Sequence, residues 1–179
     1  MRRSLFISAI SVLLAGCSAE DTSTTRGQSL VSAGRSFAGK HRYAEARIAF
    51  EKALALDSLA AFAHYELGNL DARLGRLETA VGAYEAALAA DPAFDDARHN
   101  LAVIEADRGH LPRAVALLEQ LPRHAIALET LALFYAKQGR YDRAEAALNA
   151  ALEIAERGAA RRQLGRLYLR QGHLDQALP

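Results

Sequence analysis

Small residues recur along this chain in columns that keep one register. Gly34, Gly68, Ala102, Ala132 and Gly165 follow one another at spacings of 34, 34, 30 and 33 residues. Ala46, Ala80, Ala114, Ala144 and Ala177 repeat with the same four spacings, and so do His41, Gly75, Gly109, Gly139 and Gly172. Larger apolar residues keep the register: Leu67, Leu101, Leu131 and Leu164 in the first half of each segment, Phe50, Tyr84, Leu118 and Leu148 in the second. The pattern predicts repeated pairs of antiparallel helices. Small residues let the two backbones approach where side chains would clash. The glycines of the third column fall where a helix must end, since a left-handed residue there carries little steric cost without a Cβ. Pro92 closes a second helix that it is unable to continue. One hairpin leaves its own apolar stripe exposed, so the segments must stack, and about three are needed for stability.

The best-formed segment, 61–94, reads AFAHYELGNLDARLGRLETAVGAYEAALAADPAF. Its Leu67-Gly68, Gly75, Ala80, Tyr84, Ala87 and Pro92 resemble the tetratricopeptide repeat. Similar segments cover 27–60, 95–124, 125–157 and an incomplete 158–179, so the resemblance takes in nearly all of 27–179. It implies an all-α fold, a right-handed superhelical solenoid of antiparallel helix pairs. The third segment is about four residues short, because Leu121-Pro122 cuts its second helix early. In the fifth, which lacks most of a second helix, Leu164, Leu167, Tyr168 and Leu174 are expected to be poorly covered. A frayed end, a partner or a second copy of the chain are the alternatives there, the last giving a homo-oligomer through the uncapped C-terminal end.

The first residues follow another logic. Met1-Arg2-Arg3 is a positive start, and the apolar run from Leu5 to Ala15 has eleven residues. These span about 16 Å as a helix, against about 30 Å of hydrocarbon, which is too short for a stable membrane crossing and suits a secretory signal. Leu14-Ala15-Gly16-Cys17 resembles the bacterial lipobox, with the one cysteine of the chain at its invariant place. The resemblance implies a cleaved signal peptide at 1–16, a covalent lipid on Cys17, and a location in the bacterial cell envelope. Ser18 after the cysteine points, by similarity, to the outer membrane, with the protein facing the periplasm. Several acyl chains hold firmly, since each buried CH₂ adds about 0.8 kcal/mol and one chain alone is marginal. The segment 17–26 is small and polar after Cys17 and reads as a flexible tether.

Composition narrows the function. Basic residues number 22 and acidic 21; removal of Arg2 and Arg3 with the signal leaves a formal −1. Such a balance excludes the net basic surface that nucleic-acid binding needs. A single cysteine excludes a disulfide framework and Cys-rich zinc sites. No Gly-rich phosphate loop is present. The histidines lack metal-ligand spacing; His41, His110 and His173 fall at inter-helix turns and read as solvated. Asp95-Asp96 sit at a helix start, where the macrodipole favours negative charge. No serine or threonine has a neighbouring base. These readings predict a protein that is not an enzyme and holds no metal and no cofactor beyond the lipid.

What remains is the inner face. The resemblance places there Phe62, Tyr65, Asn69 and Arg73 of the second segment and Asp96, His99, Val103 and Asp107 of the third. It adds Ile126, Glu129, Leu133 and Lys137 of the fourth and Arg162, Arg166 and Arg170 of the fifth. Asn69 and Asn100 occupy the asparagine positions of domains that clamp a C-terminal carboxylate, but Tyr65, Ile126 and Thr130 stand where those domains carry cations. An aromatic and asparagine stretch leading to a basic end suits a peptide with an acidic segment; an ordinary solvated face is the alternative. The expected function is a non-catalytic scaffold or adaptor lipoprotein that binds an envelope protein or peptide during assembly of an envelope complex. Assembly of a type IV or Flp pilus or of a secretin is the narrower alternative, and an accessory subunit of a cell-envelope enzyme the rival.

Overall fold

A computed structural model describes residues 24–56, 59–155 and 158–172. Among them are nine helices and no strand. In chain order these are α1 (24–39), α2 (Tyr43–Leu54), α3 (Ala60–Arg73), α4 (Leu77–Ala90), α5 (Asp95–Asp107), α6 (Leu111–Leu118), α7 (Ala125–Lys137), α8 (Tyr141–Ile154) and α9 (Gly158–Gln171). The signal, the lipobox and Cys17 lie outside the described residues. Of the segment read as a tether, residues 24–26 are helical in α1 and the rest lies outside the described residues.

Each hairpin turns in the same way. The chain enters the left-handed region at His41 (φ 59°), Gly75 (72°), Gly109 (86°), Gly139 (73°) and Gly172 (81°). At four of these turns the next residue donates its backbone N–H back to the helix just ended: Arg42 to Phe37, Arg76 to Asp71, His110 to Glu105 and Arg140 to Tyr135, at 2.8–2.9 Å. With the bonds from His41, Gly75, Gly109 and Gly139 to Ala38, Ala72, Ala106 and Ala136, this satisfies helix-end carbonyls in the Schellman arrangement. Gly75→Ala is therefore expected to cost about 1–2 kcal/mol, although its Cβ would meet open space. Gly82, mid-helix in α4 and equally unobstructed, is the contrasting case: Gly82→Ala should add about 0.5–1 kcal/mol. Urea unfolding of the two variants checks both signs.

The helices form two compact units, Met1–Pro92 and Ala93–Pro179. In the N-terminal unit Val31, Ala46, Phe50, Ala53, Ala63, Leu67 and Leu70 make one core. Gly34 lies under the Phe50 ring, and a Cβ on Gly68 would stand 2.7 Å from the Tyr84 ring. These glycines thus accept an aromatic ring from the second helix of the pair. Two ion pairs tie the first hairpin to the second: Arg35 of α1 to Glu66 of α3 at 2.5 Å, and Arg47 of α2 to the buried Asp71 of α3.

In the C-terminal unit the core runs through Ala102, Leu118, Leu121, Leu131, Ala132, Leu148, Ala160 and Leu167. The early end of the short third segment is confirmed: α6 stops at Leu118, and buried Leu121 folds in behind it. The expectation that the fifth segment is poorly covered needs correction. Leu167 is buried with the α7–α8 core, and the Tyr168 hydroxyl donates to Glu145 Oε1 at 2.8 Å. The cause is α8, which covers α9 from one side. Leu164 is partly buried against the same core, and Leu174 lies outside the described residues.

Candidate binding faces on the first helices

In the N-terminal unit the expected residues come together on α3. The Phe62 and Tyr65 rings lie 6.1 Å apart, and Tyr65 meets Tyr84 at 6.0 Å. The Tyr84 hydroxyl donates to Asn69 Oδ1 at 2.8 Å, so Asn69 also braces the core tyrosine. Asn69 and Arg73 line a cavity of about 280 Å³ with Arg35, Glu66 and Leu70. Arg35 stacks its guanidinium on Phe62 at 4.7 Å while its Nε donates to Glu66 at 2.6 Å. Arg35 and Glu66 were missed by the sequence reading. They stand 31 residues apart, which gives no local signal, and only stacking of α1 beside α3 joins them.

The C-terminal unit carries two separate clusters. His99 of α5 contacts Asn100 Oδ1 at 3.2 Å and Thr130 Oγ1 at 3.1 Å, and its ring stacks on His124 at 5.8 Å. His124 caps α7, its Nδ1 accepting the Ala127 N–H at 3.1 Å, which leaves Nε2–H to donate to Asp96 at 3.2 Å. Burial lowers the pKa of His99, and the charge of His124 adds to the fall, against the Asn100 hydrogen bond and the Asp96 charge. A histidine held low in the fold stays neutral while the unfolded chain binds a proton. Its stabilising contribution is thus full above the unfolded value of ~6.5 and is lost as pH falls through the folded value. Thermal melts between pH 8 and 5 are expected to show this loss, flattened in His99→Gln.

The second cluster lies between α7 and α9. Leu133, Ala132, Ala136, Leu148, Leu167, Gln163, Arg166 and Arg170 line a cavity of about 160 Å³. Lys137 is turned over the Phe134 ring at 5.8 Å and Arg170 over Tyr141 at 5.8 Å. Arg162 is exposed on α9, Val103 is half-buried on α5 and Asp107 is exposed. Ile126 is exposed, and Glu129 is buried in α7.

His110 is exposed at its turn, as expected, and is also bound: its Nδ1 meets Oε2 of the fully buried Glu105 at 2.6 Å. Arg108 and Arg113 reach Oε1 of the same carboxylate at 2.9 and 3.2 Å. Arg42, Arg76, His110 and Arg140, each just after the turn residue, form a column the sequence reading passed over. Arg42 and Arg140 stack on Phe37 and Tyr135 at 4.7 and 4.8 Å, whereas Arg76 and His110 face Asp71 and Glu105. Their spacing of 34, 34 and 30 residues was the available signal. Among the described residues no cluster of three metal-ligating side chains occurs, and no helix is long and apolar enough to cross a membrane.

Tetratricopeptide-repeat family models match residues 31–93, 71–125, 125–157 and 158–179, which together leave no gap from 31 to 179. No curated protein matches the chain. Several solved structures share the fold. A tetratricopeptide repeat protein from Parabacteroides merdae superposes with a TM-score of 0.73 at 22% identity, over 86% of this chain and 63% of that one. The chain thus spans less than two thirds of that relative. PilF of Pseudomonas aeruginosa gives 0.74 at 15% identity, over 88% and 79% of the two chains. YrrB, described as a tetratricopeptide repeat protein with an unusual peptide-binding site, gives 0.63 at 22%, over 83% and 79%. The helix pairs, the shared turn and the contiguous family matches make this chain a member of the tetratricopeptide-repeat family.

Proposed function

We propose that the chain is a non-catalytic scaffold lipoprotein, anchored through Cys17 in a bacterial envelope, whose first-helix faces hold a partner protein or peptide during assembly of an envelope complex. Tetratricopeptide-repeat proteins bind peptides or proteins, and YrrB is a relative in fold with a peptide-binding site. The observation that carries the reading is the 280 Å³ cavity between α1 and α3. Its wall presents Arg35, Glu66, Asn69 and Arg73, and the Phe62–Tyr65 aromatic pair lies on the same helix. Arg35 and Arg73 are exposed and Phe62, Tyr65 and Asn69 half-buried, so a partner can reach them, while the buried Glu66 holds Arg35 in place. The anchor rests on Leu14-Ala15-Gly16-Cys17 and the apolar run before it.

Asn69 supports Tyr84 and is a poor probe of binding. Tyr65→Ala with Arg73→Ala is the cleaner variant, because Arg73 is exposed and Tyr65 half-buried. Pull-down from envelope extracts is expected to recover partner proteins with the native chain and to lose them with this variant at unchanged helicity. Equal recovery would refute the face as the binding surface. Separately, Cys17→Ser should release the chain from the membrane fraction.

A further inference from the structure

The cavity between α7 and α9 combines an apolar floor with two arginines at its rim, Arg166 and Arg170. Leu133 is 47% exposed at its edge, with Ala136, Leu148 and Leu167 beneath. Helix α9 (GAARRQLGRLYLRQ) carries Arg161, Arg162, Arg166 and Arg170 and no acidic residue. Arg166 and Arg170, both exposed at the cavity rim, have no carboxylate within ion-pair distance among the described residues. Arg162 lies in the first turns of α9, where a cation opposes the helix dipole. Gln163 adds a third element: it lines the cavity, and its Oε1 is buried with no hydrogen-bond partner among the described residues.

From this arrangement we infer that the α7–α9 cavity seats an aliphatic side chain of a partner peptide whose adjacent residues are aspartate or glutamate. This rests on the reading of the first-helix faces as binding surfaces and names the partner chemistry for one of them. A volume of about 160 Å³ suits a leucine-sized group and is too small for a lipid chain or a cofactor. Arg166 and Arg170 stand one helical turn apart and so meet carboxylates on successive turns of a helix or on alternate residues of an extended strand.

The test is fluorescence anisotropy on the purified full-length chain with a labelled Gly/Ser peptide that carries a leucine followed by two aspartates. Control peptides replace the aspartates by asparagines or the leucine by serine. The inference expects each control to bind at least about tenfold more weakly. Arg166→Glu with Arg170→Glu should remove the preference for aspartate, and Leu133→Asn the preference for leucine, with unaltered circular dichroism. Equal binding of the three peptides, or variants that discriminate like the native chain, would overturn it. So would displacement of the peptide by short-chain phosphatidylglycerol at a lower concentration than the peptide itself requires, which would make this a lipid-headgroup site. Equal binding of the three peptides by the native chain, with partner capture still sensitive to Tyr65→Ala and Arg73→Ala, fells this inference and leaves the wider reading standing. Insensitivity of capture to that pair fells the wider reading instead.

Discussion

Gly68→Leu is expected to destabilise the chain by about 3 kcal/mol, the upper end of what overpacking of a filled core costs. The position has no room: a Cβ already falls 2.7 Å from Tyr84 Cε1, and that ring is itself buried and fixed by its hydroxyl bond to Asn69. The repeat columns show how the space is shared. Sixteen residues after the small position stands its packing partner, Phe50 after Gly34, Tyr84 after Gly68, Leu118 after Ala102 and Leu148 after Ala132. Glycine is matched with an aromatic ring and alanine with leucine, so the summed volume of each pair is kept. Gly68→Ala and Tyr84→Leu should therefore each lose stability alone. Together they should lose less than the sum, with a coupling of about 1 kcal/mol or more, because the double variant recreates the pair that the third and fourth segments use. Strict additivity in urea unfolding would show that ring and glycine do not share one space.

Glu105→Ala is expected to cost about 3 kcal/mol, and Glu105→Leu clearly less. The carboxylate is fully buried and gathers Arg108, His110 and Arg113. Loss of the acid leaves Arg108 and Arg113 without their counter-charge and His110 without its hydrogen-bond partner, and in the alanine variant it also leaves an unfilled space, which leucine fills. These three side chains are themselves partly exposed and regain water, which keeps the figure at the low end for a broken buried pair. Burial pushes the Glu105 pKa up, but the His110 hydrogen bond and the Arg113 and Arg108 charges outweigh it, and the carboxyl sits below the ordinary glutamate range. The stabilisation is accordingly complete above the unfolded value of ~4.3 and is lost as pH falls through the lower folded value. Acid titration of the melting temperature should be flatter in both variants than in the native chain. Equal losses for alanine and leucine would mean that charge, not packed volume, sets the cost.

The hairpins were legible because their determinants are local and repeat. A small residue, a turn residue and a large apolar residue keep fixed spacings, and the five left-handed residues occupy the column read for them, down to His41, the one without glycine. The C-terminal coverage was misread because burial of Leu167 and anchoring of Tyr168 depend on α8, a neighbour in space whose Glu145 lies 23 residues away. The same holds for the faces. Phe62 and Tyr65 could be placed on one helix by counting, but Arg35–Glu66 and His99–Thr130 join residues 31 apart, and their geometry comes only from the stacking of one first helix on the next. The contact of His110 escaped for a different reason: an exposed turn histidine gives no sign of the buried carboxylate five residues earlier that it meets.

The central claim is that this chain works through the faces of its first helices. Site-specific photocrosslinking in intact cells tests it most directly, with the probe at Tyr65 and Leu133 on first helices and, as controls, at the exposed Ile48 and Ile154 on second helices. Discrete partner adducts from Tyr65 and Leu133, absent from Ile48 and Ile154, are the predicted result. Adducts confined to Ile48 and Ile154, or equal from all four positions, would contradict it.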